Sequence, residues 1–246
     1  MGRGLIAFLF VAVNVFAGTT PPSPNATPSP ILFVVMGGHN SCNKSQTTVR
    51  PLGTGVYLNY DTVAPNWNSR GAKISVITTC LYGDAPPEGE MDYVLPDGST
   101  HVGDAYDLAK EINALVKKQP TTRLYFIGHS YGAWTGMFLA ESMNNPAKIE
   151  ALITIDPIGP GCDTLGVIFG SDDCHQAPTD RDNAAIAKKV GIWLNFYQDA
   201  DDWLTSSEIP EATKNHYIDF GWGPHGDIDA DRRVWTAIDQ SVKTTF

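Results

Sequence analysis

The stretch RLYFIGHSYGAWTGMFLAESM, residues 123–143, carries a strand, a turn and a helix in one run. Residues 123–127 (RLYFI) are aromatic, branched and apolar, the composition of a buried strand. Residues 131–144 place small and apolar side chains at helical spacing with no proline among them. Between the two stands Gly128-His129-Ser130-Tyr131-Gly132, the pattern G-x-S-x-G at a strand-to-helix junction. A residue on so tight a turn has a strained backbone, and side chains beside it would clash. Gly128 and Gly132 supply the room, while Ala133, Gly136 and Ala140 let the helix lie close to the sheet. The helix N-terminus adds partial positive charge beneath a developing oxyanion. Ser130 is thus the candidate nucleophile, against the plainer reading of a glycine-rich turn with a capping serine.

Outward from this turn, strand-like and helix-like segments alternate. The apolar runs are 31–35, 73–79, 123–127, 151–155, 190–197 and 216–220, and amphipathic helical patterns cover 104–118, 131–144 and 229–243. Near-continuous apolar strands separated by helices predict an α/β fold: a mostly parallel central sheet with helices on both faces. Two stretches rich in Gly, Asp and Pro, 83–103 and 157–189, read as long loops above the strand ends, where such folds keep their sites.

The chain has 246 residues, 42% of them hydrophobic and 18% charged, enough for one domain with a full core. Its 17 basic against 27 acidic residues give a net charge of −10. That surface repels nucleic acid and anionic membranes, and leaves a neutral small-molecule or lipid ester as a substrate class. A single Arg3, an apolar run from Leu5 to Phe16 and small residues at 15 and 17 predict a signal peptide over 1–17, too short to insert stably in a bilayer. Residues 18–30, with proline every few positions, form a linker, and 31–246 the folded domain. The expected location is secreted or periplasmic, and the expected state a monomer. Sequons stand at Asn25 and Asn43.

The four cysteines suit an oxidising compartment. Cys42 and Cys80 each follow a strand-like run, so neighbouring strands would bring them together at one sheet edge. Cys162 and Cys174 flank one short loop, so the favoured pairs are 42–80 and 162–174. Zinc is disfavoured because no C-x-x-C occurs. Asp227, Asp229 and Asp231 fail a calcium-loop test, since Arg232 and Ile238 stand where Gly and Glu belong; they read as cap and dipole partners of the last helix. Neither a metal nor an organic cofactor is expected.

With this element order and GHSYG at its centre, the chain resembles the α/β-hydrolase superfamily of esterases and lipases over about residues 31–245. Ala133 stands where many relatives keep another glycine. The resemblance implies an acyl-enzyme mechanism with triad order nucleophile, acid, histidine. His225, in the tight loop GPHG between the last strand and the last helix, then becomes the base. Two residues suit the acid. Asp156 ends the run ALITI, is followed at once by Pro157, and resembles the Asp-Pro after the sixth strand of pancreatic-type lipases; it is the first choice. Asp201, after the seventh strand, stands at the more usual position and is the alternative. The oxyanion hole would use the N–H of Tyr131 and a second N–H from the Met36–Asn40 loop, at His39 or Asn40. The rival from another class is a catalytically inactive scaffold of the same fold that binds a ligand or protein.

Overall fold

The computed structural model describes residues 29–38, 41–42, 60, 63, 67, 73–82, 87–143, 149–160, 178, 181–198, 205–219 and 225–245. The expected signal segment, most of the linker, both sequons, His39, Asn40, the Cys162–Cys174 pair and Asp201 lie outside the described residues.

Eight strands form one sheet. They are β1 Ile31–Met36, β2 Ile74–Leu81, β3 Met91–Val94, β4 Thr100–Gly103, β5 Arg123–His129, β6 Ile149–Ile155, β7 Val190–Tyr197 and β8 Lys214–Tyr217. Their order is β4-β3-β2-β1-β5-β6-β7-β8. Every pairing from β2 through β8 is parallel; only β3 and β4 run antiparallel to their neighbours. The helices are α1 Ala105–Lys118, α2 Tyr131–Ser142, α3 Asn183–Lys189 and α4 Arg232–Lys243, with a 3₁₀ segment at His225–Ala230.

Side chains alternate across each strand, so a two-sided sheet makes two cores. In β1, Leu32, Val34 and Met36 face one layer with apolar residues of α1, α2 and α3. Ile31, Phe33 and Val35 face the other, with Tyr60, Trp67 and α4. Each such side chain, fully buried, contributes about 1.5–3 kcal/mol. The helix α1 keeps a single apolar stripe of Ala105, Leu108, Ile112 and Val116, starts at the Asp104 cap and ends on Lys117 and Lys118. By contrast α2 is buried from Tyr131 through Ala140, because sheet lies beneath it and helices flank it. On the opposite face α4 buries Val234, Trp235, Ile238 and Val242.

Four local expectations needed correction. The stretch 83–103 is not a long loop: it holds the β3–β4 hairpin, closed by a turn in which Gly98 takes φ 87° and its N–H donates to the Leu95 carbonyl. The stretch 157–189 ends in α3, whose Asp182 cap accepts the Ala185 N–H. The last helix begins at 232 instead of 229, because residues 225–230 wind as a 3₁₀ turn with Asp231 as cap. The expected strand 216–220 is shifted, and β8 spans Lys214–Tyr217.

The closeness of α2 to the sheet generates the first prediction. A Cβ on Gly132 would stand 2.5 Å from the carbonyl oxygens of Met36 and Gly37, which are backbone and cannot swing away. Gly132→Ala should therefore lower the unfolding free energy in urea by at least about 1–3 kcal/mol. Gly226→Ala, with no atom of the described residues within 4 Å of the added carbon, should stay within about 0.5 kcal/mol of the parent protein. Equal stability of the two variants would contradict the close contact.

Candidate active site

Ser130 ends β5 and caps α2 with φ 57° and ψ −129°, a region that non-glycine residues enter only when their surroundings hold them there. Three glycines make that possible. A Cβ on Gly128 would lie 2.3 Å from the Gly132 carbonyl oxygen, and one on Gly38 would lie 2.9 Å from the Ser130 Cβ. Hydrogen bonds fix the turn on either side. The Ser130 N–H donates to the Ile155 carbonyl at 3.0 Å, and the Ser130 carbonyl accepts from Ala133 at 2.9 Å and Trp134 at 3.2 Å. The side chain is thereby lifted to the C-terminal end of the parallel strands. Tyr131, the expected first oxyanion donor, is the first residue of α2.

One strand over, Asp156 follows directly after β6 and also has positive φ, 47°. It is fully buried, and its carboxylate accepts three hydrogen bonds. Oδ1 accepts the Ser206 N–H at 2.7 Å; Oδ2 accepts Gln198 Nε2 at 2.9 Å and His225 Nδ1 at 2.8 Å; its own N–H donates to the Phe196 carbonyl at 2.7 Å. Behind it lies a buried polar relay. Trp193 Nε1 donates to Thr154 Oγ1, which meets Asn195 Oδ1 at 3.0 Å. Asn195 Nδ2 donates to the Ser207 carbonyl and to Asn215 Oδ1, which also receives the Ile209 N–H. This relay anchors 205–209, the segment that aims the Ser206 N–H at Asp156.

A carboxylate only accepts, so the contact with Asp156 places the neutral His225 proton on Nδ1 and leaves Nε2 as the basic nitrogen. Nε2 is buried and has no hydrogen-bond partner among the described residues, so its bond to Ser130 Oγ is not formed here. Catalytic hydrogen bonds of this kind are commonly long before substrate binds. The structure thus brings Asp156 and His225 together, and the β5–β6 register sets Asp156 beside the Ser130 turn. It places His216 elsewhere, in β8, stacked on Phe196 with ring centroids 4.7 Å apart. His101 stacks on Tyr93 in the edge hairpin.

The Gly37–Gly38 loop beneath Ser130 is held to β2. Gly37 N–H donates to Thr79, Cys42 N–H to Leu81, and the Leu81 N–H returns to Ser41 Oγ at 3.0 Å. The expected Cys42–Cys80 disulfide closes this edge with a Cα–Cα distance of 5.0 Å. These two sulfurs and Asp92 are the group of possible metal ligands among the described residues. A disulfide offers no thiolate, and Asp92 Oδ2 already receives the Tyr82 hydroxyl at 2.5 Å, so they do not suit a metal.

Sequence reasoning missed Gln198, Ser206 and the part played by His129. His129 is buried, its Nε2 lies 3.1 Å from the His225 carbonyl, and its Nδ1 lies 3.5 Å from Asp229 Oδ2. Burial, with the neighbouring His225 adding to it, pushes the His129 pKa well below the ordinary histidine value; the carbonyl contact pulls only weakly the other way. Asp229, read from sequence as a helix-end charge, is buried inside the fold, whereas Asp231 does cap α4 through the Arg233 N–H. Nothing in the sequence marks these inward contacts, since they join segments almost 100 residues apart.

No protein-family model matches the chain, and no curated protein matches it. Among solved structures it is similar to one described as "a Putative Hydrolase from Rickettsia typhi". The identity is 12%, the coverage 90% of this chain and 88% of that one, and the TM-score 0.45.

Proposed function

We propose that this chain is a serine hydrolase of the α/β-hydrolase fold that cleaves carboxylic esters. Ser130 acts as nucleophile, His225 as base and Asp156 as acid. The observation that carries the reading is the 2.8 Å contact between His225 Nδ1 and the buried Asp156 carboxylate, set one strand from a serine at strained, positive φ. It also favours Asp156 over Asp201, because one carboxylate is enough to orient one imidazole.

The chemistry follows from that arrangement. A serine hydroxyl is nearly inert at neutral pH until a base takes its proton. Ser130 Oγ attacks the ester carbonyl carbon while its proton passes to His225 Nε2, and the carbonyl electron pair moves onto oxygen. Asp156 stabilises the resulting imidazolium. The Tyr131 N–H, at the start of α2, is assigned as one oxyanion donor and His39 or Asn40, from the sequence pattern, as the other; one such donor is worth about 3–4 kcal/mol. Collapse of the tetrahedral species expels the alcohol, which takes the proton from Nε2. Water then attacks the acyl-enzyme by the same steps and releases the acid. No metal or organic cofactor enters this sequence of steps. Export to an oxidising compartment agrees with the Cys42–Cys80 bridge. No helix among the described residues is long and apolar enough to cross a membrane.

The inactive-scaffold reading has one observation in its favour, the missing bond between Ser130 Oγ and His225 Nε2. A fluorophosphonate probe separates the two readings. The enzyme should be labelled on the peptide containing Ser130, Ser130→Ala should not be labelled, and Asp156→Asn should hydrolyse short p-nitrophenyl esters about 10⁴-fold more slowly. Folded protein that stays unlabelled would leave the scaffold reading standing. A second expectation concerns the support of the acid. Gln198→Leu removes one of two donors on Asp156 Oδ2, so kcat should fall by about 10-fold, much less than for Asp156→Asn, with KM little changed. Unchanged kcat would show that the Gln198 contact does not orient the acid.

A further inference from the structure

His129 fills the variable position of the G-x-S-x-G turn, where a side chain could as easily point to solvent. Here it turns inward and is only 6% exposed. Its Nε2 lies 3.1 Å from the backbone oxygen of His225, and the two imidazoles lie 4.6 Å apart at an interplanar angle of 31°. A carbonyl oxygen only accepts, so Nε2 carries the proton and donates. In the neutral ring Nδ1 is then bare, and Asp229 Oδ2, 3.5 Å away, is its neighbour and not its acceptor. Among the described residues, the groups facing His129 are therefore the His225 ring and carbonyl and the Asp229 carboxylate, both from the 3₁₀ segment. Asp156, at the end of β6, reaches it through His225.

We infer that His129 is a positioning residue: its Nε2–H holds the backbone of His225, so that the turn presenting the nucleophile also sets the position of the base. This rests on the triad reading above and adds to it. The His225 side chain is fixed at one point by Asp156 Oδ2, and a single hydrogen bond lets a ring pivot about that contact. Gly226, the next residue, adds no side chain that could pack against the ring. The carbonyl bond and the ring contact supply the second and third points of attachment. They tie the base to the residue directly before Ser130, so a movement of one is transmitted to the other. This ordering costs little at the moment of reaction, because the bonds are made before substrate arrives.

The test compares His129→Gln, whose amide can still donate to the His225 carbonyl, with His129→Leu, which fills similar space and donates nothing. On a p-nitrophenyl ester, the Leu variant should lose between about 10- and 100-fold in kcat with KM within about threefold of the parent, as expected for a displaced reacting group. The Gln variant should recover most of the loss. Leu and Gln variants equally impaired, or both fully active, would overturn the inference. Ring ¹⁵N chemical shifts of the unaltered protein give an answer that does not depend on either variant folding. Neutral His129 with its proton on Nε2 is expected; a proton on Nδ1 would overturn the hydrogen bond itself. If the unaltered protein neither hydrolyses esters nor labels at Ser130, the triad reading falls, while the ¹⁵N tautomer still decides whether His129 holds the His225 carbonyl.

Discussion

Ser130 sits at φ 57° because β5 must pass into α2 within a single residue while α2 stays pressed on the sheet. Holding a non-glycine residue in such a region costs about 1–3 kcal/mol, which the surrounding contacts must outweigh. They are of two kinds. Strand pairing on both sides of β5 fixes where the turn begins, and the buried face of α2 fixes where it must end. Gly128, Gly132 and Gly38 then remove every carbon that would collide within that space. The same geometry places Gly37 and Gly38 beneath the serine and sets the Ser130 N–H on Ile155, the residue before Asp156. The positions of Ser130, the loop after β1 and Asp156 are in this way three consequences of one backbone constraint.

Asp156 shows how a buried charge is accommodated. An unsupported ionised carboxylate in this interior would be far too costly. Here both oxygens accept hydrogen bonds, and the segment that carries one donor, the Ser206 N–H, is itself held by the Thr154–Asn195–Asn215 relay. A fully connected polar network can be rigid where a partly satisfied one cannot. The relay also explains why the segment 205–209 lies against Asp156 although it belongs to no strand or helix.

The sequence made the centre legible and the periphery less so. RLYFI-GHSYG revealed its strand, its turn and the place of Ser130 on it because glycine spacing and apolar runs report backbone geometry directly. The choice of His225 and Asp156 needed family order as well, and the fold sets the two side chains 2.8 Å apart. The β3–β4 hairpin was hidden: its strands are four residues each, interrupted by Asp92, Thr100 and His101, and their edge position leaves them without the apolar run that marks a central strand. The Pro96-Asp97-Gly98 turn was the signal that could have found it. Gln198, Ser206 and His129 were not legible as supports, because an amide, a backbone N–H and a buried imidazole gain their roles only from residues brought close by the fold.

The proposed hydrolase requires a covalent intermediate at Ser130, and intact-protein mass measurement on a slowly deacylating ester tests that most directly. Mixing enzyme and ester in the millisecond-to-second range should give a burst of released alcohol equal to the enzyme present. The protein should gain the mass of one acyl group, located on the peptide that contains Ser130. Ester turnover without a burst and without acylation of that peptide would contradict the account, whatever the rate observed.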